Sequence, residues 1–166
     1  MIHRMMLIIV FAFLTASTAA AQELSGRARV WGAVGAGGSV PTSGGDAITN
    51  MAQIVYQKNT LHAAMRILLL HDIDRNTNEI GEIGPLYGRT REHSWGRSVV
   101  ATGFSWVGFY RCPDDDKSCS TLGLPLVAEA AIRTRFIGSG IHAFGNINGT
   151  ASYAGAVLFV QLGRLR

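Results

Sequence analysis

The chain has 166 residues, a formal net charge of +4, 20 glycines and two cysteines. That length suits one domain, and so small and scattered a basic excess argues against nucleic acid as a partner. No stretch reaches the roughly 20 apolar residues of a spanning helix, which excludes a helical membrane protein but not a barrel, whose strands need only about 9–11.

The first element reads as an export signal. His3 and Arg4 form a short basic region, Met5 to Leu14 is uncharged and apolar, and small residues follow from Thr15 to Ala21. Ala19-Ala20-Ala21 fits an A-x-A cleavage site, so the expected division is a signal peptide over 1–21 and a β-barrel domain over 22–166. Without Arg4 the 15 basic residues fall to 14, against 11 acidic. The remaining domain is glycine-rich, a composition that interrupts helices but suits a tightly curved sheet.

Strands are expected over 26–36, 51–57, 61–70, 80–89, 97–110, 122–136, 137–144 and 152–162, from windows alternating with period two. The clearest sets Leu122, Leu124, Leu126, Ala128, Ala130 and Ile132 against a face carrying Glu129, Arg133 and Arg135. The third strand sets Leu61, Ala63, Met65, Ile67 and Leu69 against His62, Ala64, Arg66, Leu68 and Leu70. The last sets Ala154, Ala156, Leu158, Val160 and Leu162 against Tyr153, Gly155, Val157, Phe159 and Gln161. Pro85, which cannot donate to a ladder, suggests a bulge in the fourth strand. The fold class expected is all-β, an eight-stranded antiparallel up-and-down barrel of the outer-membrane type.

Links expected over 37–50, 71–79, 111–121 and 145–151 are long, whereas those over 58–60, 90–96 and around Phe136 are short. Outer-membrane barrels pair short periplasmic turns with longer extracellular loops, so both termini are expected on the periplasmic side. A soluble barrel produces the same alternation with its apolar face turned inward. The export signal and the small-plus-charged minority face favour the membrane. Arg66, Glu129 and Arg133 are expected to pair inside a narrow lumen.

Gly123 to Glu129 (GLPLVAE), Phe136 to Asn148 (FIGSGIHAFGNIN) and Tyr153 to Arg166 (YAGAVLFVQLGRLR) together resemble a group of small, uncharacterised bacterial outer-membrane β-barrel proteins. Leu86-Tyr87-Gly88-Arg89 looks like that group's middle portion. The resemblance covers about half of the domain in strand-and-turn patterns. It implies fold and location, and no activity. Many such barrels end on an aromatic residue, whereas this sequence ends Gly163-Arg164-Leu165-Arg166, which keeps a soluble periplasmic barrel as an alternative.

Candidate chemistry is sparse. Cys112 and Cys119 flank one loop, and in an exported chain a close pair reads as a disulfide. Asp114, Asp115 and Asp116 lie inside that loop and suit either a solvated charge run or weak divalent-cation binding at the surface. The run from Asp72 to Asn78 spaces oxygens like half a calcium loop but has Thr77 where glycine is required. His93 and Ser94, with Glu82 or Glu92 behind the histidine, suggest a lipid-acting hydrolase. Adjacent strand residues point to opposite faces, which disfavours that pair. Trp31, Trp95, Trp106, Tyr87, Tyr110 and Tyr153 are candidates for interfacial girdles or for core packing.

The leading expectation is a monomeric outer-membrane barrel with a filled lumen and a structural or surface-interaction role, rather than a wide pore. Its partners are membrane lipid and, through the aspartate loop, surface divalent cations; no cofactor motif is present. The alternatives are a soluble periplasmic barrel binding an apolar ligand, and a lipid-modifying enzyme using His93 and Ser94.

Overall fold

A computed structural model describes residues 28–73, 79–109 and 119–165. Nine strands form one antiparallel sheet: β1 (Ala28–Pro41), β2 (Ala47–Lys58), β3 (Leu61–Asp72), β4 (Glu79–Glu92), β5 (Gly96–Gly103), β6 (Ser105–Phe109), β7 (Cys119–Arg133), β8 (Ile137–Asn148) and β9 (Tyr153–Gly163). Apart from β5 and β6, each strand pairs with its sequence neighbours, and β1 closes the ring against β9. β5 and β6 both lie between β4 and β7, in one continuous register on either side of Phe104. They are two halves of one stave, so the protein is a closed eight-stave barrel.

The break at Phe104 has a covalent cause. Leu86 pairs with Gly103 and Ile83 with Trp106, which sets Pro85 beside Phe104 on one flank. On the other flank Leu124 stands opposite Phe104, and Pro125 is opposite Gly103, in the register that runs from Thr102↔Leu126 to Ser105↔Gly123. Neither proline can donate to a ladder. The register runs through the interruption unchanged, so Pro85 removes hydrogen bonding without producing the expected bulge.

At one end, called the lower end here, residues 59–60, 93–95 and 134–136 make tight turns. Asn59 takes φ 57, a left-handed conformation that asparagine tolerates better than most side chains. At the upper end the links are 42–46, 73–78, 110–118 and 149–152. All four are shorter than expected, the first and the last because a strand runs on into them. The first expected loop, 37–50, shrinks to a turn because β1 continues through Gly35 and Gly37. A Cβ at Gly37 would lie 2.0 Å from the Ala156 carbonyl oxygen, so this glycine marks close strand approach rather than a loop. Likewise β8 runs on to Asn148, whose Oδ1 accepts from the Thr150 and Ala151 amides at 3.0 and 2.9 Å and turns the last hairpin.

Alternate residues face the lumen. Two apolar clusters occupy it, one including Met51, Leu68, Leu70, Val107 and Phe109, the other Trp31, Val55, Leu86, Val99 and Leu165. Leu165 reaches that position because Gly163 takes φ 142, where a side chain is strained and a Cβ would sit 2.7 Å from Trp31 Cα. The backbone then turns inward: the Leu165 amide donates to Arg135 O at 3.0 Å and its side chain is fully buried. The segment after β9 thereby closes the lower mouth.

Candidate functional site

The feature that most needs explanation is the polar lumen. Arg66 and Arg97 have no measurable exposure, and Glu82 and Glu129 are equally enclosed. A buried charge is tolerated when it is paired and hydrogen-bonded, and both pairs are made. Arg66 Nη2 donates to Glu82 Oε1 and Arg97 Nη2 to Glu129 Oε1, each at 2.5 Å. Two cations thus meet two anions, and the lumen core carries no net charge from these four.

His142 joins the pairs. Arg66 Nη1 lies 3.1 Å from His142 Nε2, and His142 Nδ1 lies 3.3 Å from Glu129 Oε2. A guanidinium can only donate, so Nε2 is the acceptor and Nδ1 carries the proton that points at Glu129. The geometry therefore assigns a neutral imidazole of defined tautomer. Gln53 Nε2 donates to Glu129 Oε2 at 3.1 Å, and Arg97 Nη2 donates to Gln161 Oε1 at 2.7 Å. Asn146 Nδ2 donates to Glu82 Oε2 at 3.1 Å and to Ser105 Oγ at 2.8 Å, and the Tyr153 hydroxyl donates to Glu82. Arg97 also lies 4.0 Å over the Trp31 ring, a cation–π contact.

Glycines create the room. A Cβ at Gly123 would lie 2.2 Å from Asn146 Oδ1, and one at Gly138 would lie 2.3 Å from Gln161 Nε2. The network is continuous from wall to wall, so it locks the barrel's cross-section and obstructs passage along its axis. It presents no activated nucleophile. Among the described residues, no group of His, Cys, Asp and Glu is arranged to hold a metal ion.

The outer wall has the opposite character. Val100, Leu122 and Leu158 are 68–70% exposed, and Ile132, Ile141 and Ile147 are more than half exposed. Tyr87, Trp95 and Trp106 also face outward. The barrel thus carries its ion pairs inside, alongside two apolar clusters, and large apolar side chains outside.

This fold is similar to that of a surface protein. A solved crystal structure of Neisserial surface protein A superimposes with a TM-score of 0.64, at 10% sequence identity, over 82% of this chain and 97% of that one. No family model and no curated protein matches the sequence. At that identity the likeness concerns the fold, and it agrees with the closed barrel implied by the strand-and-turn resemblance.

The lumen differs in detail from the sequence-based expectation. Arg66 and Glu129 both face inward, but they meet through His142 rather than directly. Arg133 lies at the lower rim, where it donates to Glu92 beside Arg29 and Gln57. Glu82 and Arg97, the partners that complete the two buried pairs, were not singled out as lumen residues. Their signal lies in the alternation: Glu82 shares a face with Ile80, Gly84 and Leu86, and Arg97 with Val99 and Ala101.

Trp31 and Tyr153 belong to the lumen rather than to a girdle, because each is in phase with the inward residues of its strand. His93 Nε2 bonds Ser98 Oγ at 2.9 Å and its ring stacks on Trp95 at 4.9 Å, so its hydroxyl partner is Ser98 rather than Ser94. Cys119 opens β7 opposite Phe109. Cys112, Tyr110, Asp114, Asp115, Asp116 and the signal segment lie outside the described residues, as does most of the calcium-like run after Asp72.

Proposed function

We propose that this protein spans a bacterial outer membrane as a closed barrel with a structural or surface-interaction role. One observation carries the reading: buried ion pairs lie within the lumen while large apolar side chains cover the exposed wall. Such an apolar exterior is costly in water and favourable in hydrocarbon. Apart from the interruption at Phe104, the backbone ladders close within the ring, as a bilayer core requires. The tight turns then face the periplasm and the other links the outside. In the same reading 1–21 directs export, Cys112 and Cys119 close the 110–118 loop as a disulfide, and Asp114, Asp115 and Asp116 display carboxylates at the cell surface.

The test is fractionation of cells followed by extraction. The mature protein is expected to resist carbonate, dissolve in detergent and run as a faster-migrating band in unheated gels. Recovery free in the periplasm would refute the reading. With its core blocked by the ionic network, the inserted barrel is expected to give no stable conductance in planar bilayers.

A further inference from the structure

The apolar wall carries one groove with a charged end. It measures about 450 Å³ and lies over β2, β3, β4 and Phe104, with Ala63 as its floor between the rings of Tyr56 and Tyr87. The register sets these three residues abreast: Tyr56 pairs with Ala63, and Ala63 with Tyr87. One outward step lower, Lys58 pairs with Leu61, and Leu61 with Arg89. Two cations therefore flank Leu61, one on each neighbouring strand, below two tyrosines that flank a small-residue floor. Thr60 adds a hydroxyl that accepts from Arg89 at 3.1 Å, and Arg91 follows on the same face of β4.

The charge is not compensated locally. Glu92, the acid of this rim among the described residues, is already engaged by Arg29, Gln57 and Arg133. Arg135 and Arg164 add further exposed cations to the same rim, whereas the described acids Asp46, Asp72 and Glu79 stand at the upper end. The lower end of the wall is thus basic where it meets the periplasmic leaflet, which is built of phospholipid.

We propose that this groove is a binding site for an anionic phospholipid of the periplasmic leaflet. Its phosphate is held by Lys58 and Arg89, and an acyl chain lies on Ala63 between Tyr56 and Tyr87. The inference rests on the outer-membrane reading, because only an inserted barrel brings the groove against that leaflet. Tyrosine suits the position, since its ring packs on the chain and its hydroxyl reaches the headgroup layer. A basic residue near an anionic membrane surface strengthens binding by about fivefold, so the pair supplies roughly 25-fold selectivity over a zwitterionic lipid.

The test uses the full mature protein folded in detergent, with phosphatidylglycerol and phosphatidylcholine as probes and native mass spectrometry as the readout. Wild type is expected to retain phosphatidylglycerol preferentially. A Lys58→Gln, Arg89→Gln double variant is expected to lose that preference, Ala63→Leu to weaken retention of both lipids, and Arg135→Gln to behave as wild type. Insertion of each protein into neutral vesicles is followed separately by heat-modifiable migration. A wild type that inserts yet retains both lipids equally, or a double variant that keeps the preference, overturns the lipid site alone. A wild type that cannot insert overturns the membrane reading and this proposal with it.

Discussion

Glu129 accepts from three side chains in the lumen, Arg97, Gln53 and His142, and its removal makes a quantitative test of the network. Glu129→Leu leaves Arg97 buried without its counter-ion and leaves Gln53 Nε2 and His142 Nδ1 without their acceptor. Breaking a buried pair from one side typically costs about 3–5 kcal/mol. Glu129 and Arg97 side chains are 1% and 0% exposed, so solvent screening offers little relief. With urea slopes of about 1–3 kcal/mol per molar, the unfolding midpoint in lipid vesicles should fall by roughly 1–5 M, read by tryptophan fluorescence. Arg97→Met should cost a similar amount, because it strands the Glu129 carboxylate. The double variant removes both charges and should cost about 2 kcal/mol less than the two singles added, in the range found for groups sharing one network. Strict additivity, or a single-variant loss under about 1 kcal/mol, would refute the argument that the pair is the lumen's electrostatic centre.

Other consequences are equally direct. Leu158→Arg places a cation halfway along β9 on the outer wall and should lower stability in vesicles by about 2–4 kcal/mol; a barrel in water would tolerate the change. Leu165→Ala should cost about 2–5 kcal/mol through the cavity left beside Trp31, measured by the same urea titration, and an unchanged midpoint would show that the lower mouth does not depend on it. Gly138→Val should prevent native folding, since its Cβ would meet Gln161 Nε2 at 2.3 Å and the Ile132 carbonyl at 2.7 Å; a normal heat-modifiable band would contradict this. Reduction should raise the intact mass by two hydrogens and expose two alkylatable thiols if Cys112 and Cys119 are bonded, and no change would remove the disulfide.

Local pattern carried much of the architecture. The alternation in β3, β7 and β9 identified which residues share a face, because a strand's side-chain period of two is set by its own backbone. Sequence spacing also showed long links alternating with short ones, and hence a hairpin barrel. Glycine was the misleading signal. Gly37 looked like the start of a loop, yet it lies within β1 because the neighbouring β9 backbone leaves no room for a Cβ, a fact about a strand more than 100 residues away.

Ionic partnership was likewise invisible in the chain order. Arg97 and Glu129, 32 residues apart, meet diagonally because β5 and β7 pair in register, whereas Arg66 and His142, 76 apart, meet across the lumen only once the ring is closed. Period-two patterning therefore specified the faces and the strand count. The assembled barrel selected the pairs, because which charges meet across a lumen depends on how every stave is staggered against its neighbours.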